Sequence, residues 1–107
     1  MRIRKYKDNM DEQELELIAS VSDALAHPVR LQLFRHIMHC NQNRETVCTG
    51  DLVEAFDYAQ ATISQHMKKL TASDLVQVQK KDRFSYYYAN LGILMKYIDA
   101  TKKFAVM

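Results

Sequence analysis

The sequence predicts a mainly α, α+β domain of about five helices and one two-stranded β-hairpin, and three observations predict it. The 107 residues fit a single domain, and 48% of them are apolar, a normal share for a globular chain. Only two glycines and one proline interrupt the chain, which favours helices joined by short connections. Apolar residues recur at helical spacing over most of its length but alternate with polar ones across residues 75–88.

Residues 1–10 read as a basic N-terminal arm, and residues 11–107 as the domain. A solvated terminus is the ordinary reading of such an arm, with minor-groove contact by residues 2–7 as the functional alternative. The first helix is expected to start near Asp11, where Glu12, Glu14 and Glu16 suit the positive end of its dipole. Leu15, Ile18, Ser22 and Leu25 make one row on it, and Leu17, Val21 and Ala24 a second. A helix apolar on two sides in so small a domain packs on its own core and on a partner subunit. His27-Pro28 breaks it, and Pro28 suits the first turn of a second helix. That helix shows Leu33, Phe34, Ile37 and Met38 on one face and ends near Cys40; residues 41–45 are polar and read as a loop.

Thr49 or Asp51 starts a short third helix carrying Leu52, Val53 and Phe56. Asp57-Tyr58 turns into a fourth helix, residues 60–71, with Asp74 in the turn beyond. In the alternating stretch, Val76 and Val78 alternate with Gln77 and Gln79, and Phe84, Tyr86 and Tyr88 with Ser85 and Tyr87. Lys80-Lys-Asp-Arg83 joins these strands as a charged hairpin, where Asp82 tolerates the turn geometry that glycine usually supplies. A last helix from about Leu91 shows Leu94, Tyr97, Ile98 and Thr101 on one face.

A short helix, a tight turn, a second helix and a basic hairpin is the element order of a winged helix-turn-helix. At about 100° per residue, Ile63, Met67 and Leu70 fall in one arc and must face the core. Opposite them lie Ala61, Gln65 and Lys68, flanked by Thr62, Ser64 and Lys69, with no carboxylate. A glutamine can pair with adenine, a hydroxyl with base or phosphate, and an ammonium with phosphate. The bland counterpart is an amphipathic helix with a solvated polar side. The charge split along the chain reads by itself as two solvated faces; the hairpin favours the DNA reading, because Lys80, Lys81 and Arg83 put charge where a wing meets the neighbouring backbone. Residues 8–23 hold Asp8, Asp11, Glu12, Glu14, Glu16 and Asp23 with no Lys or Arg, whereas residues 68–83 hold Lys68, Lys69, Lys80, Lys81 and Arg83 against two aspartates. The DNA-contact candidates are therefore Gln60, Thr62, Ser64, Gln65, Lys68 and Lys69 on the helix, and Lys81 and Arg83 on the hairpin. His66 flanks the core row, a place for packing rather than base contact, and Tyr86, Tyr87 and Tyr88 read as strand and core residues.

Three segments, in this order and spacing, resemble the ArsR/SmtB family of winged-helix repressors. They are Asp23-Ala-Leu-Ala-His-Pro-Val-Arg-Leu-Gln-Leu-Phe34, Ala61-Thr-Ile-Ser-Gln-His-Met-Lys-Lys-Leu70, and Asp74-Leu-Val through Asp82-Arg-Phe-Ser-Tyr-Tyr-Tyr88. The likeness covers roughly residues 20–104. It implies a homodimer joined through the first and last helices, with Leu15, Ile18, Leu94, Tyr97, Ile98 and Thr101 as interface candidates. It also implies double-stranded DNA with an inverted-repeat operator as partner, and release when a signal binds. The family's arsenic and cadmium sensors carry a Cys-x-Cys pair that here reads Cys48-Thr-Gly50, leaving one thiolate. The zinc sensors use Asp and His along the last helix, where this chain has Asp99 and no histidine.

No cofactor is expected, and a metal or thiol-reactive inducer stays open. His36, His39 and Cys40 have i, i+3, i+4 spacing, with Cys48 eight residues on, a set able to hold zinc or copper. The ordinary reading, which outweighs the metal one, is that His36 and His39 suit a helix end, where a cation meets the dipole. Two cysteines are too few for a disulfide framework and fit a reducing cytoplasm. No run is long and apolar enough to span a bilayer. No phosphate-cradling glycine loop or nucleophile elbow suggests an enzyme. The remaining alternative is a winged helix that binds protein without specific DNA binding.

Overall fold

The computed structural model describes residues 10–106. The basic arm lies outside them, apart from Met10, which is buried. Helix α1 (Glu12–Leu25) starts at Asp11, whose carboxylate accepts the Glu14 N–H at 2.8 Å while Glu14 accepts the Asp11 N–H at 3.3 Å. This reciprocal cap satisfies two backbone donors that a bare helix start leaves unpaired. Helix α2 (Pro28–Gln42) begins on proline and runs two residues past Cys40. The extension has a tertiary cause: the Asn41 side chain accepts the Ala89 N–H at 2.9 Å. Helix α3 (Thr49–Phe56) is capped by Asp51, which accepts the Cys48 N–H at 2.9 Å. Helix α4 (Gln60–Ala72) follows.

Strands β1 (Val76–Lys81) and β2 (Phe84–Ala89) pair antiparallel, from Val76 opposite Ala89 to Lys81 opposite Phe84. Asp82 takes a left-handed φ of 57° in the two-residue turn, as expected of a residue standing in for glycine. Residues 47–48 lie along the free edge of β2, where Tyr87 donates its N–H to the Val47 carbonyl at 2.8 Å. Helix α5 (Leu91–Lys102) runs on into a 3-10 turn, Lys103–Val106.

All of these elements except the terminal turn meet in one core: Val21 and Ala24, Leu33 and Ile37, Leu52, the ridge Ile63, Met67 and Leu70, Leu75 and Val76, and Tyr87, with Ile93, Leu94 and Tyr97 of α5 packed against it. Full burial stabilises each large aliphatic side chain by about 1.5–3 kcal/mol. The alternation expected of the hairpin does not carry through into burial: in β1 only Val76 is buried and Val78 is exposed, and in β2 the core residue is Tyr87. Val78 pairs with Tyr87, which is buried, while Phe84 at the strand start is exposed. Residues two apart share a sheet face, so one buried tyrosine fixes the direction of the rest.

Candidate nucleic-acid interface

Phe56 ends α3, and Asp57 turns the chain with φ 53° and ψ 40°, its N–H held by the Val53 carbonyl at 3.0 Å. Three residues later α4 begins. Its ridge is pinned inward: Ile63 and Leu70 are fully buried and Met67 is 2% exposed. The 3.6-residue period then turns Ala61, Thr62, Gln65, Lys68 and Lys69 outward, and all five are exposed, as is Gln60. Ser64 is half-buried. Gln65 has no hydrogen-bond partner among the described residues, so its amide is free for a ligand. No residue of α4 is acidic.

Between α4 and the hairpin lies an open groove of about 580 Å³. Gln60, Ser64, Lys68 and Thr71 form its helical wall, Lys80 and Arg83 its hairpin wall, and Thr49 closes one end. Tyr87 lies on the floor, its hydroxyl 3.0 Å from Thr49 Oγ1. No carboxylate lines this groove, and cations stand on both walls. The structure brings Gln60, Ser64, Lys68 and Arg83 of the predicted set together there. Thr62, Gln65 and Lys69 face out from α4, and Lys81 is exposed but outside the groove. Lys80 takes the groove position, because it shares the sheet face of Val76 and Val78. The two-residue period already held that information. Arg83 lies 5.8 Å above the Phe84 ring, which steadies its guanidinium along the hairpin.

His66 is half-buried against α2, its ring 4.7 Å from that of His27. Burial first, then the neighbouring His27 and Arg30, push its pKa below the usual histidine value.

The four sulfur and imidazole candidates do not come together as one site. His36 Nε2 is 3.6 Å from Cys40 Sγ, and the His36 ring meets Phe56 edge-on. His39 faces Asn43 at 3.4 Å, and Cys48 precedes the first turn of α3. Among the described residues no three His, Cys, Asp or Glu side chains are placed to hold a metal ion. Both cysteines are free, and burial, Glu45 and Asp51 push the Cys40 thiol pKa up, away from the reactive thiolate.

On the opposite side, α1 packs on α5 and Ser22 Oγ lies 3.0 Å from the Tyr97 hydroxyl. Leu94 and Tyr97 pack against the chain's own core, while Ile18, Ile98 and Thr101 are half-buried and Leu15 is exposed. Leu91 and Met95, about half exposed, continue the Ile98 row at i, i+4, i+7 spacing and lie outside the expected interface set, although the spacing is legible in the sequence.

A helix-turn-helix domain profile matches residues 25–79, from the end of α1 into β1. The arsenical resistance operon repressor of Bacillus subtilis (strain 168) is 33% identical over 84 residues, 76% of this chain and 76% of that protein. Nodulation protein NolR of Rhizobium meliloti is 26% identical over 88 residues, 82% of this chain and 68% of that protein. The structure of an ArsR-like transcriptional regulator from Rhodococcus sp. RHA1 has the same fold, with a TM-score of 0.75 at 21% identity over 88% of this chain and 84% of that one.

Proposed function

This chain belongs to the ArsR/SmtB-type family of winged-helix transcriptional regulators, and from that premise we propose that it is a homodimeric cytoplasmic repressor. It is a DNA-binding regulator, not an enzyme. In this reading α4 enters the major groove, with Gln65 and Thr62 at base edges. The neighbouring phosphate strand runs past Gln60, Ser64, Lys68 and Lys69 toward the hairpin, where Lys80, Lys81 and Arg83 meet it. The observation that carries the reading is the outer face of α4: polar, free of carboxylates, and continuous with a groove that has cations on both walls. The apolar row Leu91, Met95 and Ile98, with Leu15 on α1, supports a second copy as partner. Two copies of α4 then want an inverted repeat with half-sites roughly 34 Å apart, and a signal frees the operator.

The test is binding to the protein's own upstream region across a salt series. Lys80→Ala and Arg83→Ala should weaken all sequences alike and each reduce the salt slope by about one. Gln65→Ala should cost about 1–3 kcal/mol at one base position and relax specificity there. Binding indifferent to all three changes would place the reading helix elsewhere, or make the chain a protein-interaction module. Reductant, oxidant and divalent metals added to the same complex identify the inducer class by which of them releases DNA.

A further inference from the structure

One guanidinium ties three helices together. Arg30 Nε donates to the Ala24 carbonyl at 2.7 Å and Nη2 to the Asp23 carbonyl at 3.2 Å, both at the C-terminal end of α1. Its Nη1 reaches His66 Nδ1 on α4 at 3.5 Å. A guanidinium only donates, so His66 can join this contact only with Nδ1 bare and its proton on Nε2. His27, in ring contact with His66, accepts the Val29 N–H on its own Nδ1 at 3.1 Å and so caps α2. Two touching imidazoles are each held by a donor that cannot reverse its role.

We propose that the His27–Arg30–His66 cluster positions the DNA-reading helix, and that protonation of His66 releases it, so that specific DNA binding is lost in mild acid. The proposal rests on the DNA-binding reading of α4. A proton on His66 Nδ1 turns an acceptor into a donor that faces another donor, and sets a new positive charge beside Arg30. The charges acting on His66 come from α2, as His27 and Arg30. From α1 the Ala24 and Asp23 carbonyls are taken by Arg30, the exposed Asp23 carboxylate stands at the same helix end without an ion pair to it, and α4 itself adds the cation Lys69 one turn on. Among the described residues no carboxylate pairs with Arg30, His27 or His66.

The same surroundings hold the pKa of His66 low. The sign follows. A state that frees the His66 ring binds the proton more readily than the docked one, so acid favours undocking. Docked α4 is fully favoured above the ordinary histidine range, and the advantage drains away as pH falls through the lowered pKa. General electrostatics point the other way, because acid makes any protein more cationic and strengthens attraction to phosphate.

His66→Gln keeps an acceptor for Arg30 without titrating, and His27→Asn keeps a side chain favoured at helix caps. Affinity for the upstream duplex is measured at constant salt at pH 7.5 and 5.5, for the wild type and the double variant. DNA-free protein is followed over the same range by NMR of the imidazoles and of the α4 amides. Wild-type affinity should fall severalfold on acidification, while the double variant stays flat or tightens. In the DNA-free protein the α4 amides should move with the His66 titration. Parallel pH profiles in the two proteins, or α4 amides unmoved while His66 titrates, overturn the proposal. If neither protein binds duplex at pH 7.5, the DNA reading has failed by itself, and the DNA-free titration decides whether the cluster positions α4.

Discussion

Asp57, Asp74 and Asp82 all take positive φ, where glycine commonly sits, while both glycines of the chain lie in first turns of helices. Aspartate tolerates this region because its short carboxylate bonds the local backbone. Asp57→Gly should therefore raise stability by about 0.5–1 kcal/mol, and Asp57→Val should lower it by about 1–2 kcal/mol, both read from the urea midpoint at unchanged slope. Asp57 and Asp82 were legible as turns because each separates two clear periodic runs. Arg44, with φ 59°, was not, since nothing in a run of polar residues marks which one turns. The pairing of His66 with Arg30 was equally invisible: helical period places His66 beside the ridge, but the partner is 36 residues away.

Helix α4 was the most legible element, because three large apolar residues in a narrow arc leave one orientation that buries them all. That orientation can be tested without DNA. Leu70→Ala should cost about 2–5 kcal/mol of unfolding free energy, since it removes a fully buried side chain. Gln65→Ala should change it by less than about 0.5 kcal/mol, as for an exposed residue without partners. Equal losses at the two positions in denaturant titrations would mean that the helix is turned over. The hairpin was less legible. Its second strand carries three tyrosines in a row, so hydrophobicity cannot say which of them faces inward, and the answer comes from the register with β1. The separation of Lys80 from Lys81 was legible in β1 alone, because Lys80 shares the parity of Val76 and Val78 and Lys81 does not. Helix α2 exceeded its polar end signal because Asn41 is held by β2, a tie that local pattern does not contain.

At the scale of the whole molecule, the two candidate surfaces lie on different elements: the groove on α3, α4 and the hairpin, the apolar row on α1 and α5. The Leu91, Met95 and Ile98 row has no duty in the chain's own core comparable to that of Tyr97 or Ala100. Met95 is 52% exposed, so a charge there leaves the protomer nearly untouched, while at a subunit interface it would be buried opposite its own copy. A twofold axis doubles the penalty, because each substitution appears twice in an isologous contact. Met95→Glu should therefore yield monomers in sedimentation at concentrations where the wild type is dimeric, with a helical circular dichroism spectrum and single-chain folding retained. Specific affinity should fall with it, because a lone α4 engages one half-site and loses the gain from binding two sites with one linked molecule. Affinity for a single half-site should stay close to that of the wild type. A Met95→Glu protein that remained dimeric, or that lost half-site binding as well, would put the subunit contact elsewhere and leave the apolar row of α5 without this role.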